Sequence, residues 1–142
     1  MTRAPAPGSP GAVSPATRDP STWSLVLPHR SPAGAVADRL ARWTTPEVVA
    51  DVLQDCGRGL LDQVEGRPGG RDWIGECGGP LGAVLVLAEV DAAASALRSA
   101  VAAARSRVLA DLVLDHSLVE LAAELGVTRQ ALHKSVRGVR GL

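Results

Sequence analysis

The sequence predicts an all-α protein, a helical bundle in which a long central helix leads into a small group of helices at the carboxyl end. The 142 residues include no Phe and no Tyr, and 46% of them are apolar, so the core must be built mainly from Leu, Val and Ala. Such side chains favour closely packed helices over a sandwich of aromatic and β-branched strands. No glycine or proline interrupts residues 83–116, which is the second indication of a helical fold.

Composition divides the chain into three predicted regions. Residues 1–30 are predicted to be a disordered tail, because Pro, Ala and Ser dominate its first 22 residues without an apolar period. Near its end, the segment from Trp23 to Pro28 alternates loosely, and we expect a short extended piece anchored by Trp23 and by Leu25 or Leu27. Residues 31–107 are expected to form a helical body that dimerises, and residues 108–142 a separate carboxyl-terminal domain.

Helix start signals open the body. Ser31 and Pro32 predict an N-cap followed by a first-turn proline, so we expect a helix over 33–43. The same signal recurs at Thr45-Pro46. Helical spacing predicts the buried face of the helix that follows: Val48, Val49, Val52, Leu53 and Cys56.

Glycines interrupt the rest of the body. Gly57 and Gly59 predict a kink or a second short helix over 60–64, since each costs about 1 kcal/mol relative to alanine in a helix. The run 66–70, GRPGG, predicts a loop, and Asp72 is predicted to cap one further turn.

Pro80 opens the longest regular stretch of the chain. The segment 81–87 is apolar all round and is also compatible with a buried strand, but Pro80 and the alanines favour a helix. Apolar or small residues then recur at alternating spacings of three and four, which is the pattern of a coiled-coil seam. This seam predicts a homodimer contact, and the alternative is that it covers helices of the same chain. Its residues are Leu87, Val90, Ala94, Leu97, Val101 and Ala104.

The sequence offers no pattern for catalysis, metal binding or membrane insertion. Cys56 and Cys77 are 21 residues apart without a partner at metal-ligand spacing, and we expect both to be buried free thiols. The three histidines are scattered, and no glycine-rich phosphate loop or nucleophile elbow occurs. We therefore expect no enzyme, no cofactor and no metal. Residues 81–90 are too short to cross a bilayer and no signal peptide is evident, so a cytoplasmic protein is expected.

Charge is distributed unevenly although the net charge is zero. Residues 38–91 hold ten acidic and five basic side chains, a net charge of −5. Residues 127–142 hold four basic side chains and no acidic one. The pattern indicates an acidic body joined to a basic tip, which would orient the chain on a polyanion tip first.

The stretch 117–138, SLVELAAELGVTRQALHKSVRG, predicts two short helices joined by a tight turn. Ala122 falls where the two helices would approach most closely, and Gly126 has the freedom that a C-terminal cap needs. Thr128 is placed to N-cap a second helix in which Leu132 and Val136 share one face. This is the spacing of a helix-turn-helix, and we expect 108–113 to pack on it as the first helix of a trihelical unit.

Within this stretch, ELAAELGVTRQALHK resembles the ELAxxLGVSRQAVHK string of small bacterial transcription regulators and of the promoter-reading domain of sigma factors. The layout, with a carboxyl-terminal helix-turn-helix after helices that dimerise, is similar to that of Fis-like nucleoid proteins. The resemblance covers about residues 117–138 and implies a DNA-binding role for the second helix.

The outward face of that helix, residues 128–137, carries the candidate contacts to double-stranded DNA. Arg129 would pair with guanine and Gln130 with adenine at the base edges. His133 is placed for a base edge or a phosphate, and the phosphate contacts are predicted for Thr128, Lys134 and Arg137.

The predicted function is therefore a sequence-specific transcription regulator, homodimeric and located at the nucleoid. One alternative is an antitoxin-like adaptor whose acidic helical body binds a protein partner, and another is a nucleoid-associated architectural protein. A third is an effector pocket near Trp43, Cys56 and Trp73, against the simpler interpretation that the tryptophans belong to the core.

Overall fold

The computed structural model describes the backbone of residues 20–67 and 69–140, and the side chains of 22–67 and 69–138. Within those residues all regular structure is helical, so the all-α prediction is confirmed. The chain forms two compact units, Met1–Ala94 and Ser95–Leu142. Its helices are α1 (Pro20–Val26), α2 (Gly34–Ala41), α3 (Pro46–Gln54), α4 (Arg58–Val64), α5 (Trp73–Glu76), α6 (Pro80–Asp115), α7 (Leu118–Leu125) and α8 (Arg129–Arg140).

The amino-terminal unit has a core that begins earlier than predicted. Residues 20–26 form helix α1, where the sequence predicted a disordered tail to residue 30 and an extended piece near its end. Trp23 and Leu27 lie one helical turn apart and are 2% and 0% exposed, so burying them offsets the cost of ordering this segment. Leu25, on the opposite side, is exposed. The tail prediction is wrong for residues 20–30, and residues 1–19 lie outside the described residues.

Helices α2 and α3 begin in different ways. Helix α3 begins as predicted, with the Thr45 hydroxyl oxygen accepting a hydrogen bond from the Val48 N–H at 3.4 Å. Helix α2 begins at Gly34 after Ala33, without a side-chain cap, so the predicted start at Ser31 is wrong. The register of α2 follows its apolar face, because Ala33, Ala37 and Leu40 are all buried.

The two cysteines have different environments. Cys56 follows the end of α3, has a φ of 57° and is exposed, so its predicted burial is wrong. The chain leaves the helical register there, since the Gly57 N–H bonds to the Val52 carbonyl at 2.8 Å and turns Cys56 outward. Cys77 is buried as predicted, and its burial, with the nearby Glu76 carboxylate, raises the pKa of its thiol to about 11.

The predicted breaks after α3 are confirmed. Helix α4 begins at Arg58, directly after Gly57, and the Asp72 carboxylate caps α5 by accepting a hydrogen bond from the Gly75 N–H at 3.1 Å. Gly59 allows Trp73 to pack closely on α4, because a Cβ added there would lie 2.3 Å from the indole Nε1.

Helix α6 begins at Pro80 and contributes to both units. Its first part packs on the amino-terminal core through Ala83 and Val86. Every residue from 94 to 105 is exposed, and apolar burial resumes at Leu109. The predicted boundary between residues 107 and 108 therefore differs from the observed one, which follows the point where burial against the first core ends.

Among the described residues, α6 is the one helix long and apolar enough to cross a membrane, with an 18-residue window of mean hydropathy 1.6. Length and composition are weak evidence for a span, because core helices of soluble proteins meet the same criterion. The same helix carries Glu89, a buried carboxylate that is ion-paired within the amino-terminal unit.

Candidate nucleic-acid interface

Helix α7 is fixed at its start by a polar cap. The Ser117 hydroxyl oxygen accepts a hydrogen bond from the Glu120 N–H at 3.2 Å, and the Ser117 carbonyl accepts one from the Leu121 N–H at 3.1 Å. Glu120 lies in the first turn, where a negative charge interacts favourably with the amino end of a helix. Ser117 is thus the N-cap of α7.

A three-residue connection, 126–128, joins α7 to α8. Gly126 has φ 65° and ψ 30°, the left-handed conformation that glycine adopts at little cost. The Val127 N–H then reaches the Ala122 carbonyl at 3.1 Å, which satisfies one of the free carbonyls at the end of α7. Thr128 starts the next helix at once, because its hydroxyl oxygen accepts a hydrogen bond from the Ala131 N–H at 3.1 Å.

The buried cluster of the carboxyl-terminal unit joins α6, α7 and α8. Leu132 is 2% exposed, and the predicted inward positions Ala122, Leu132 and Val136 are all buried. Leu109 of α6 completes this set, with Ala110, Leu112, Val113, Leu118, Leu121 and Val127 partly buried around it. Leu132 and Val136 are four residues apart, so their burial fixes which side of α8 faces outward.

The six candidate DNA contacts all lie on the outward side of this arrangement. Each of them is exposed, and positions 129, 130, 133, 134 and 137 fall on one face of α8 because they repeat with the helical period. The structure therefore brings together the side chains that the sequence grouped: Thr128, Arg129, Gln130, His133, Lys134 and Arg137.

The charges on this face lack acidic partners within the described residues. All ion pairs of the described residues join side chains between His29 and Glu89, in the amino-terminal unit. Residues 95–142 hold seven basic and four acidic side chains, a net charge of +3, and residues 1–94 carry −3. The outward face of α8 is thus a cationic surface without internal neutralisation.

Sequence reasoning missed a second set of basic side chains. Arg98, Arg105 and Arg107 are exposed on α6, and no acidic residue occurs between Asp91 and Asp111. These arginines can be recognised in the sequence as a run of basic residues without acidic ones. The same stretch was interpreted from the sequence only as an apolar seam.

The seam residues fall into two groups. Leu87 and Val90 are partly buried and pack on the core of the amino-terminal unit, which is the intramolecular alternative. Ala94, Leu97, Val101 and Ala104 are exposed.

A buried ion-pair cluster in the amino-terminal unit was also missed. The Arg30 guanidinium donates to both oxygens of Glu89, at 3.0 Å from Nε and 2.9 Å from Nη2, and His29 Nε2 lies 2.8 Å from the same carboxylate. Burial acts to raise the pKa of Glu89, but the hydrogen bonds from Arg30 and His29 outweigh it and the pKa is lowered. This cluster ties the segment after α1 to α6.

A more exposed network surrounds Trp73. The Arg71 guanidinium lies 3.9 Å from the centre of the Trp73 ring and donates to Glu76 and Asp51. The hydrogen bonds to Glu76 and Asp51 raise the pKa of Arg71. Two carboxylates and one aromatic ring therefore surround the Arg71 guanidinium, so its positive charge is paired within the amino-terminal unit.

Two of the three residues predicted to line an effector pocket are exposed. Trp43 is 39% exposed and Cys56 is exposed. A groove of about 500 Å³ adjoins Trp73, but neither Trp43 nor Cys56 lines it. Within the described residues, no group of three or more His, Cys, Asp or Glu side chains is placed to hold a metal ion.

Comparison with known proteins leaves the site to be interpreted from its own residues. A scan against protein-family models, a search of curated proteins and a search of solved structures found no match.

Proposed function

We propose that the carboxyl-terminal unit is a trihelical helix-turn-helix that binds double-stranded DNA, led into by the long central helix α6. In this proposal α8 is the recognition helix and enters the major groove, and the chain acts as a transcription regulator. The observation that carries the proposal is the outward face of α8, which exposes five polar or basic side chains: Arg129, Gln130, His133, Lys134 and Arg137.

The geometry of the connection supports this assignment. Gly126 and Thr128 turn the chain within three residues, and Leu132 and Val136 anchor one side of α8 in a buried cluster. A recognition helix needs this combination, because one face must be anchored in a rigid scaffold while the opposite, base-reading face stays free.

The first turn of α8 offers base readout. Arg129 has a planar fork of donors that matches the O6 and N7 atoms of guanine, and Gln130 can both donate to and accept from adenine. Each such pair is worth about 1–3 kcal/mol of discrimination against the wrong base. Lys134 and Arg137 lie further along the helix and would contact phosphates, which position the protein without reading sequence.

Charge supports the orientation of binding. The carboxyl-terminal unit is basic and the amino-terminal unit acidic, so a duplex attracts the first and repels the second. Two or three phosphate contacts per chain would give a salt dependence with a slope of about −0.9 per phosphate in log affinity against log salt.

The proposal is tested by fluorescence anisotropy with duplexes selected from a random library by the full chain. We expect Arg129→Ala combined with Lys134→Ala to weaken binding by at least about tenfold, because one base contact and one phosphate contact are lost. The matched control is Arg42→Ala combined with Arg58→Ala, which removes two exposed positive charges from the other unit.

Equal affinity of the α8 double variant and the wild type would overturn the proposal. So would a failure to enrich or bind any duplex at low salt, where phosphate contacts are strongest.

A further inference from the structure

A bare segment of α6 lies between the two buried clusters. Every residue from 94 to 105 is exposed, a length of about 18 Å at 1.5 Å per residue. Leu97 is 63% exposed, Val101 56% and, two turns after Val101, Val108 58%. Alanine-rich composition favours the helix, but an isolated helix of this length is marginal in water and its apolar stripe remains in contact with solvent.

The exposed stripe has the spacing of a coiled-coil seam. The steps from Leu97 to Val101, Ala104 and Val108 are four, three and four residues, so the heptad register is fixed. Leu97 and Ala104 fall at d, and the β-branched Val101 and Val108 fall at a. Valine at a with leucine at d favours two parallel strands over three or four.

We propose that the 97–108 face of α6 pairs with the same face of a second copy of this chain, as a parallel, in-register two-stranded coiled coil. The pairing covers the exposed Leu and Val side chains, and Ala104 lets the two helices approach closely. This pairing goes beyond the proposed DNA-binding role, and it can be tested without DNA.

The flanking charges select the orientation. Arg98 and Arg105 fall at e, and Ala100 and Arg107 at g. In a parallel pair a g residue faces the e residue five positions later on the other helix, so Ala100 meets Arg105 and Arg107 meets Leu112 of the second copy.

The antiparallel arrangement is disfavoured by the same charges. An antiparallel pair that overlaps all four seam positions would bring Arg98 of each copy beside Arg105 of the other, and like charges would repel twice. Since no acidic residue lies between Asp91 and Asp111, neither arrangement gains attractive flanking pairs. Added salt should therefore strengthen the dimer, by screening the arginines, whereas it would weaken a contact with an acidic partner.

A parallel pair has one consequence that rests on the proposed function. Leu109 of α6 packs in the same cluster as Leu132 of α8, so the two recognition helices would lie at the same end of the coiled coil. Such a dimer would read two half-sites about 34–36 Å apart.

Sedimentation equilibrium of the full chain without DNA tests the pairing. We expect a mass of twice 14.6 kDa for the wild type and a dissociation constant raised by at least about tenfold in Val101→Lys, which places a charge at an a position. Val84→Lys is the matched control, because Val84 is 60% exposed on the same helix outside the seam. Circular dichroism checks that the variants keep their helix content. If Val101→Lys loses helix content, Ala104→Arg serves as the second variant in the seam.

Cross-linking tests the orientation. In a Cys56→Ser background, Val101→Cys is expected to form a covalent dimer on oxidation, since only a parallel in-register pair brings the two a positions within disulfide reach. Absence of that cross-link in a dimeric protein would overturn the parallel arrangement.

A wild-type mass of 14.6 kDa at every concentration would overturn the pairing itself. A dimer that Val101→Lys and Ala104→Arg leave intact would overturn the assignment to this face. Loss of the dimer with unchanged binding to a single half-site would leave the DNA-binding proposal standing, so the two proposals fail separately.

Discussion

Gln130 and Lys134 lie one turn apart on α8, and the chemistry of their side chains assigns them different tasks. The Gln130 amide can donate and accept at once, which matches the N6 and N7 atoms of adenine. The Lys134 ammonium is a flexible point charge with donors only, which suits a phosphate. Both side chains are exposed, so substituting either leaves the buried face of the helix untouched.

The two substitutions should therefore affect binding differently. Gln130→Ala is expected to reduce the preference for adenine at one position by about 1–3 kcal/mol. Lys134→Ala is expected to weaken binding to all duplexes alike and to make the salt slope shallower by about 0.9. Anisotropy titrations against the selected duplex and single-position variants measure both. A uniform loss in both variants would indicate an architectural DNA-binding protein without base readout.

The ionised Glu89 carboxylate is expected to make the stability of the amino-terminal unit depend on pH. Its pKa is lowered, so ionised Glu89 stabilises the fold at pH values above the ordinary pKa of glutamate, about 4.3. That contribution is lost as the pH falls through the lowered value. Glu89→Gln is expected to cost about 1.5–3 kcal/mol at neutral pH, since hydrogen bonds to charged groups are lost.

Urea unfolding across pH measures this dependence. The difference between wild type and Glu89→Gln should shrink toward acid pH, as the wild-type carboxyl becomes neutral. Asp38→Asn is the control, because Asp38 is exposed and has no ion pair among the described residues. A difference that stays constant down to pH values well below the ordinary glutamate pKa would contradict the role given to the carboxylate charge.

At the scale of the element, the sequence predicted best where local chemistry decides the outcome. Thr45 and Thr128 cap helices as expected, and Gly126 ends α7, because each needs only neighbours within four residues. The same local signals placed the outward face of α8. The candidate site could therefore be predicted almost entirely from residues 117–138.

Elements fixed by distant contacts could not be predicted in this way. Helix α1 depends on the burial of Trp23 and Leu27 in a core built mostly from later residues, and its composition alone resembles the tail before it. The Glu89 cluster joins side chains that are far apart in the sequence, since Arg30 and Glu89 are separated by 59 residues. Cys56 fits the apolar period of α3, but the helix ends before reaching it.

Leu132 is expected to anchor α8 in the buried cluster of the carboxyl-terminal unit. Leu132→Ala removes a side chain that is 2% exposed from a small cluster, and we expect it to destabilise the carboxyl-terminal unit by about 2–5 kcal/mol. Leu125→Ala, at a position 42% exposed, should cost clearly less. Hydrogen exchange of the α7 and α8 amides compares them. Similar protection in the two variants would show that Leu132 does not anchor the helix.

On the scale of the whole molecule, the chain separates opposite charges into two units of −3 and +3. All ion pairs of the described residues are within the acidic unit, so the charges of the basic unit have no ion-pair partner among the described residues. In the account proposed here, that partner is a duplex, and the exposed face of α6 brings two such basic units together.

Backbone amide chemical shifts of the isotope-labelled full chain, followed while a selected duplex is added at low salt, would test the proposed role of α8. We expect the largest changes at residues 128–137, with smaller ones at the start of α7 and little change in residues 20–90. Changes concentrated in the amino-terminal unit, or no changes at a duplex concentration that saturates the anisotropy signal, would contradict α8 as the DNA-reading element.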